Sequence, residues 1–154
     1  MIGIVKNNLQ LQAKDIMAIE NINCLSDNNV NSCLFCNFVP HTFPLEVNTT
    51  ILQKAQVLDF DGAIITDDLA IAQEFLHLPY AKKRFLYLYD LDWPYIDNFS
   101  FAHIGPVIHN DRIELIVRSK FHYELVENLF KRPSYVMEEW DYKILKEIDQ
   151  DAQE

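Results

Sequence analysis

The residues best placed to do chemistry in this sequence are two carboxylates, Asp90 and Asp92, in the run Phe85-Leu86-Tyr87-Leu88-Tyr89-Asp90-Leu91-Asp92-Trp93-Pro94. Five apolar residues precede them, so both acids fall at the end of a buried strand. Oxygen ligands two positions apart can grip a divalent cation that carries a diphosphate. They serve equally well as loop residues that stop the strand, and no metal is required by the sequence. Trp93 and Tyr95 follow, and could stack on a sugar face or form the rim of a protein interface. Two further groups join this set. His103 stands in a stretch punctuated by Gly105-Pro106, and Arg118-Ser119 with His122 follows the apolar run Ile113–Val117. Of the five histidines, His103 and His122 have the placement of proton-transfer or ligand-contacting groups.

Other pairs point to different chemistry. Asp59-Phe60-Asp61-Gly62 is similar to the nucleophile and acid/base pair of haloacid-dehalogenase-type phosphatases, but Ala63 stands where they carry Thr. A tight turn at Gly62 is the alternative. Cys33-Leu34-Phe35-Cys36, with Cys24 and His41 nearby, has zinc-ligand spacing. It sits inside an apolar strand pattern, however, which favours buried structural thiols. Glu139 and Glu147 have the spacing of a glutamate pair found in retaining glycosyltransferases, although ten glutamates make such a pair common by chance. After the first apolar run, Val5-Lys6-Asn7-Asn8 contains no glycine for close approach to a phosphate. No Gly-x-Ser-x-Gly elbow is present, so a serine-hydrolase triad has no foothold. No cofactor is expected.

These residues must be positioned by alternating strands and helices. Met1–Val5, Cys33–Val39, Phe85–Tyr89, Ile113–Val117 and Ser134–Met137 read as strands, and Val57–Thr66 as strand-like at both ends. Helical spacing runs from Leu9 to Leu25, closed by Ser26-Asp27-Asn28-Asn29. Thr66-Asp67-Asp68 caps a helix to about His77, with Leu69, Ala72 and Leu76 inward. Ser119 caps another to about Lys131, with Phe121, Leu125 and Leu129 on one stripe. Asp141 caps a last helix with Ile144, Leu145 and Ile148 inward. Residues 40–50 and 95–112 read as loops, the latter with one short strand at Val107-Ile108. Strand and helix in alternation predict an α/β fold of Rossmann type: a mainly parallel sheet with helices on both faces. The functional edge of such a sheet is the carboxyl end of its strands. The expected domain spans residues 1–148, with 149–154 as a frayed acidic tail.

Composition narrows the function classes. The chain has 154 residues, 49% of them hydrophobic, which is enough for one core. A formal charge of −10 argues against a free-standing nucleic-acid binder, because phosphate contacts need clustered Lys and Arg. No run approaches the roughly 18 apolar residues of a membrane span, and the first residues lack the pattern of a secretory signal. Three cysteines do not suggest a disulfide framework. A cytoplasmic protein is expected (host-cell cytoplasm if viral), with a protein partner or a second copy of itself.

Three segments together carry a resemblance. Phe60–Leu69 resembles the strand-then-Thr-Asp-helix unit of the N-terminal, acceptor-side domain of GT-B-type glycosyltransferases. Phe85–Trp93 is similar to an aromatic strand in glycosyltransferase-like proteins of tailed phages. Ile113–His122 resembles the last strand of that half-domain, in which x-Ser-x-x-His opens the following helix. The resemblance covers most of residues 50–140. It implies a sugar or glycan acceptor bound at an edge that includes Asp90, Asp92, Trp93, His103, Arg118, Ser119 and His122. The donor-binding domain of such enzymes would need roughly another 150 residues. The implied role is therefore an acceptor-binding or accessory module. A phage-type protein-interaction factor that kept the fold without catalysis is one alternative. A small metal-dependent sugar or phosphate transferase using Asp90 and Asp92 is another.

Overall fold

A computed structural model describes residues 1–91 and 101–153. Seven strands form one all-parallel sheet: β1 (Ile2–Val5), β2 (Ser32–Phe35), β3 (Thr50–Leu52), β4 (Ala63–Thr66), β5 (Lys83–Leu88), β6 (Glu114–Val117) and β7 (Tyr135–Val136). Their order is β3-β2-β1-β4-β5-β6-β7. The chain winds outward from β1 to β3, returns across the sheet to β4, and winds outward again to β7. This is the doubly wound Rossmann-like arrangement, with its reversal point between β1 and β4.

The helices are α1 (Ala13–Asp27), α2 (Leu69–Phe75), α3 (Phe101–Ile108), α4 (Lys120–Leu129) and α5 (Tyr142–Asp151). On one face, α1 and α5 pack Ala18, Ile19, Ile22, Leu145 and Ile148 over Ile2, Ile4, Ile65 and Phe85. On the other, α2, α3 and α4 bury Ile71, Phe75, Ile104, Ile108 and Val126 against Val5, Ile64, Leu86 and Leu115. Strands covered on both sides read as unbroken apolar runs, and β1, β4 and the last four residues of β5 are buried throughout. Local signals set the helix ends. The Asp68 side chain accepts the Ala70 and Ile71 amides at 2.8 and 3.1 Å, and Ser119 Oγ accepts the His122 amide at 3.2 Å. Asp141 accepts the Lys143 amide at 2.9 Å. At the far end of α1, Asn29 adopts φ 59° and Val30 N–H donates to Leu25 O, a left-handed stop.

Several expectations are corrected. Residues 101–108 form α3 rather than a loop with a strand: burial of Ile104, Val107 and Ile108 outweighs the missing amide of Pro106. Thr50, read as the end of a loop, instead begins edge strand β3, Thr50–Leu52, to which the sequence assigned no element. Val57 belongs to a 3-10 helix, Lys54–Asp59, so only Ala63–Thr66 of that segment is strand. The inward face of α2 is led by Ile71, Ala72 and Phe75. On α4 the stripe of Phe121, Leu125 and Leu129 is 70%, 37% and 54% exposed, and the helix is seated through Val126 instead. The segment expected to fray continues α5 to Asp151, with Asp149 buried and 2.6 Å from the Met1 amino group.

Candidate functional site

The strand register brings chemistry to one edge. Thr66 pairs with Leu86, Leu88 with Val117, and Val117 with Val136, so these strands end close together. The residues that follow them are polar or charged: Lys6 after β1, Asp67 after β4, Tyr89-Asp90 after β5, and Arg118 after β6. Two connected clusters result along the carboxyl edge.

The first lies at the reversal point. Lys6 Nζ is 2.6 Å from Asp15 Oδ1 and 2.8 Å from Asp67 Oδ1, with all three side chains about 95% buried. Lys14 Nζ approaches Asp67 Oδ2 at 3.2 Å from a more exposed position. Gln10 N–H fills the other oxygen of Asp15 at 2.8 Å, and Lys6 also lies over the Trp140 ring at 5.1 Å. Burial alone would raise the Asp67 pKa, but Lys6 and Lys14 outweigh it and hold the carboxyl below its ordinary value. Lys14 is raised in turn: burial works against its charge, and Asp67 more than offsets it. The group lines a recess of about 180 Å³ with Asn7, Asn8, Asp68 and Ile71. Its two ammonium groups are matched by two carboxylates, and Asp68 adds a negative charge. A phosphate would meet no free cation there, which agrees with the absence of a glycine loop.

The second cluster centres on Arg118. Its guanidinium bonds Glu139 Oε1, lies 3.6 Å from Asp90 Oδ1, and stacks 4.6 Å from the Tyr89 ring centre. The Tyr89 hydroxyl donates to the other oxygen of Glu139. Burial and that carboxylate together push Tyr89 up to about 12. Beneath it Tyr87 is packed edge-on against Trp140 at 4.9 Å, and its hydroxyl donates to Met137 O. Glu139 and Trp140 have φ of 47° and 62°, left-handed conformations uncommon outside glycine. His122, in the first turn of α4, is held below its usual pKa by burial and then by Arg118, and its Nδ1 has no hydrogen-bond partner.

Asp90, Arg118, Ser119 and His122 thus lie close together, with Ser119 acting as the cap that accepts the His122 amide. Asp92, Trp93 and Tyr95 lie outside the described residues. His103 belongs to α3 and not to a loop. In the sequence Lys6 is only the residue after the first strand and Asp67 only part of a helix cap; nothing there joins them to Asp15 and Lys14, or makes Glu139 the anchor of Arg118. The usable signal was a charged residue placed directly after a buried run, as in Val5-Lys6 and Thr66-Asp67. Glu147 is exposed on α5 and has no part in the edge.

The other candidate pairs are placed elsewhere. Asp59 and Asp61 precede β4, at the amino edge, whereas a strand-borne nucleophile belongs at the carboxyl end. Cys33 and Cys36 are buried free thiols, and burial pushes Cys33 up to about 12, away from reactive thiolate. Among the described residues, no three His, Cys, Asp or Glu side chains converge as metal ligands. No helix among them is long and apolar enough to cross a membrane. Comparison with protein families, curated proteins and solved structures gave no match.

Proposed function

We propose that this chain is a glycosyltransferase-like module of the GT-B acceptor-side type that binds a sugar or glycan acceptor, or a partner carrying one, along the carboxyl edge of its sheet. The observation that carries this is the held pair Arg118 and Asp90. Their side chains are 36% and 52% exposed, enough to touch a ligand. Glu139 and Tyr89 fix the guanidinium from beneath. A rigid donor beside a rigid acceptor suits an uncharged polyhydroxyl compound, whose groups both give and take hydrogen bonds. The balance of one cation against two carboxylates here, and the neutralised cluster around Lys6, favour such a ligand over a phosphate-bearing one.

The test is a melting-temperature panel of oligosaccharides, with and without a nucleoside-diphosphate sugar and Mg²⁺ or Mn²⁺. A saturable rise with a glycan that is lost in Arg118→Ala supports the proposal. No rise with any glycan would sink it, and a rise that needs the sugar nucleotide and metal would favour the Asp90/Asp92 transferase instead.

One observation favours the second reading, a protein-interaction factor. The exposed stripe Phe121, Leu125 and Leu129 on α4 is the kind of apolar surface that partners cover. Loss of a partner, or of self-association by light scattering, in Phe121→Ser/Leu129→Ser with unchanged melting temperature would identify it.

A further inference from the structure

The crossover from β3 to β4 contains only the 3-10 helix Lys54–Asp59 where a doubly wound sheet has room for a full helix. That short element packs Val57 against the sheet and leaves a recess between itself and α2. A cavity of about 490 Å³ opens there. Val5 forms its floor, Val57 and Leu58 one wall, and Ile71, Phe75 and Leu78 the other. Its size lies within the range of about 300–1,000 Å³ typical of small-molecule sites. It shares Ile71 with the recess around Lys6 but is otherwise a separate space on the face of α2.

The cavity is apolar inside and polar at its mouth. Lys54 Nζ donates to Asn7 Oδ1 at 2.8 Å and to Glu74 Oε1 at 3.0 Å, and lies 2.8 Å from Glu74 Oε2 as an ion pair. Most of the donor capacity of Lys54 is thereby used. Glu74, 57% exposed at its side chain, keeps unused lone pairs and can accept a further bond. Leu58 is 53% exposed although apolar, so a ligand would cover it. The chemistry inside admits no charge, because an unpaired ion would lose its hydration without compensation.

We infer that this cavity is a binding site for a small, uncharged, mainly apolar compound with one N–H or O–H donor, its apolar part lying between the 3-10 helix and α2 and the donor bonding Glu74. The site is independent of the glycan edge, so Arg118→Ala leaves it intact.

The test titrates indole into the full chain and follows methyl resonances by NMR. Saturable shifts are expected at Val5, Val57, Ile71 and Leu78, with 1-methylindole, which has no donor, binding more weakly. Ala55 also lines the cavity and faces solvent, so Ala55→Trp plugs the mouth without touching the core. Indole affinity should fall by about tenfold or more in that variant. Leu58→Trp provides the same test if Ala55→Trp does not fold. Absence of saturation in the wild type would overturn the inference, as would undiminished binding in a folded plugged variant. Equal binding of indole and 1-methylindole would overturn the part assigned to Glu74.

Discussion

At the scale of single residues, Lys6 is the hinge of the electrostatics. It is 4% exposed and faces two carboxylates, Asp15 and Asp67. Removing one partner of a buried ion group leaves the others charged and unhydrated. Lys6→Met should therefore destabilise the chain by about 3–5 kcal/mol in urea unfolding. Acid should act through the same group. Asp67 has a folded pKa below its unfolded value of about 3.9. Its contribution is fully present above that pH and is lost as the pH falls through the folded value. Stability should thus decline below about pH 4, and Asp67→Asn should flatten that part of the curve. These residues were not legible in the sequence, because a lysine or aspartate next to a strand looks like any loop charge until the register puts it beside its partner. Arg118, Ser119 and His122 were legible because they lie close together on one stretch of chain.

At the scale of elements, the strong signals were those with one local cause. Ser119 and Asp141 begin their helices as their types predict, and Phe85–Tyr89 and Ile113–Val117 mark two central strands. Ser119→Ala should cost about 1 kcal/mol of stability by denaturant titration, since the His122 amide loses its acceptor. What misled was competition between a local rule and burial. Gly105-Pro106 reads as a break, yet three buried side chains hold α3 together. The α4 stripe points outward because the sheet receives Val126, with Tyr123 and Phe130 partly buried beside it. Gly62 has a packing reason as well. A Cβ there would meet the Met1 carbonyl at 2.4 Å and the Phe60 ring at 2.8 Å. Gly62→Ala should accordingly lower stability by about 1–3 kcal/mol, again in denaturant titration.

At the scale of the whole molecule, α/β alternation was enough to predict a parallel sheet covered on both faces. The strand order was not available from the chain, since it depends on how long-range pairs close. The return from β3 to β4 creates the reversal point, and the passage of α5 back over α1 joins the last element to the first. A fold tied together in this way should unfold as one unit. Trp140 is 0% exposed and is one of two tryptophans, the other being Trp93. In Trp93→Phe, the fluorescence of Trp140 and the far-UV circular dichroism should change at the same urea concentration. Separate midpoints would show that the α5 region opens independently.

The left-handed pair Glu139 and Trp140 sets two selective pressures against each other. Backbone comfort at position 139 asks for glycine or asparagine, while the grip on Arg118 and Tyr89 asks for a carboxylate. A library of all side chains at this position, sorted once for stability and once for ligand binding, should therefore return opposite rankings. Where Glu is kept, the chain accepts a less relaxed turn in exchange for an aimed guanidinium.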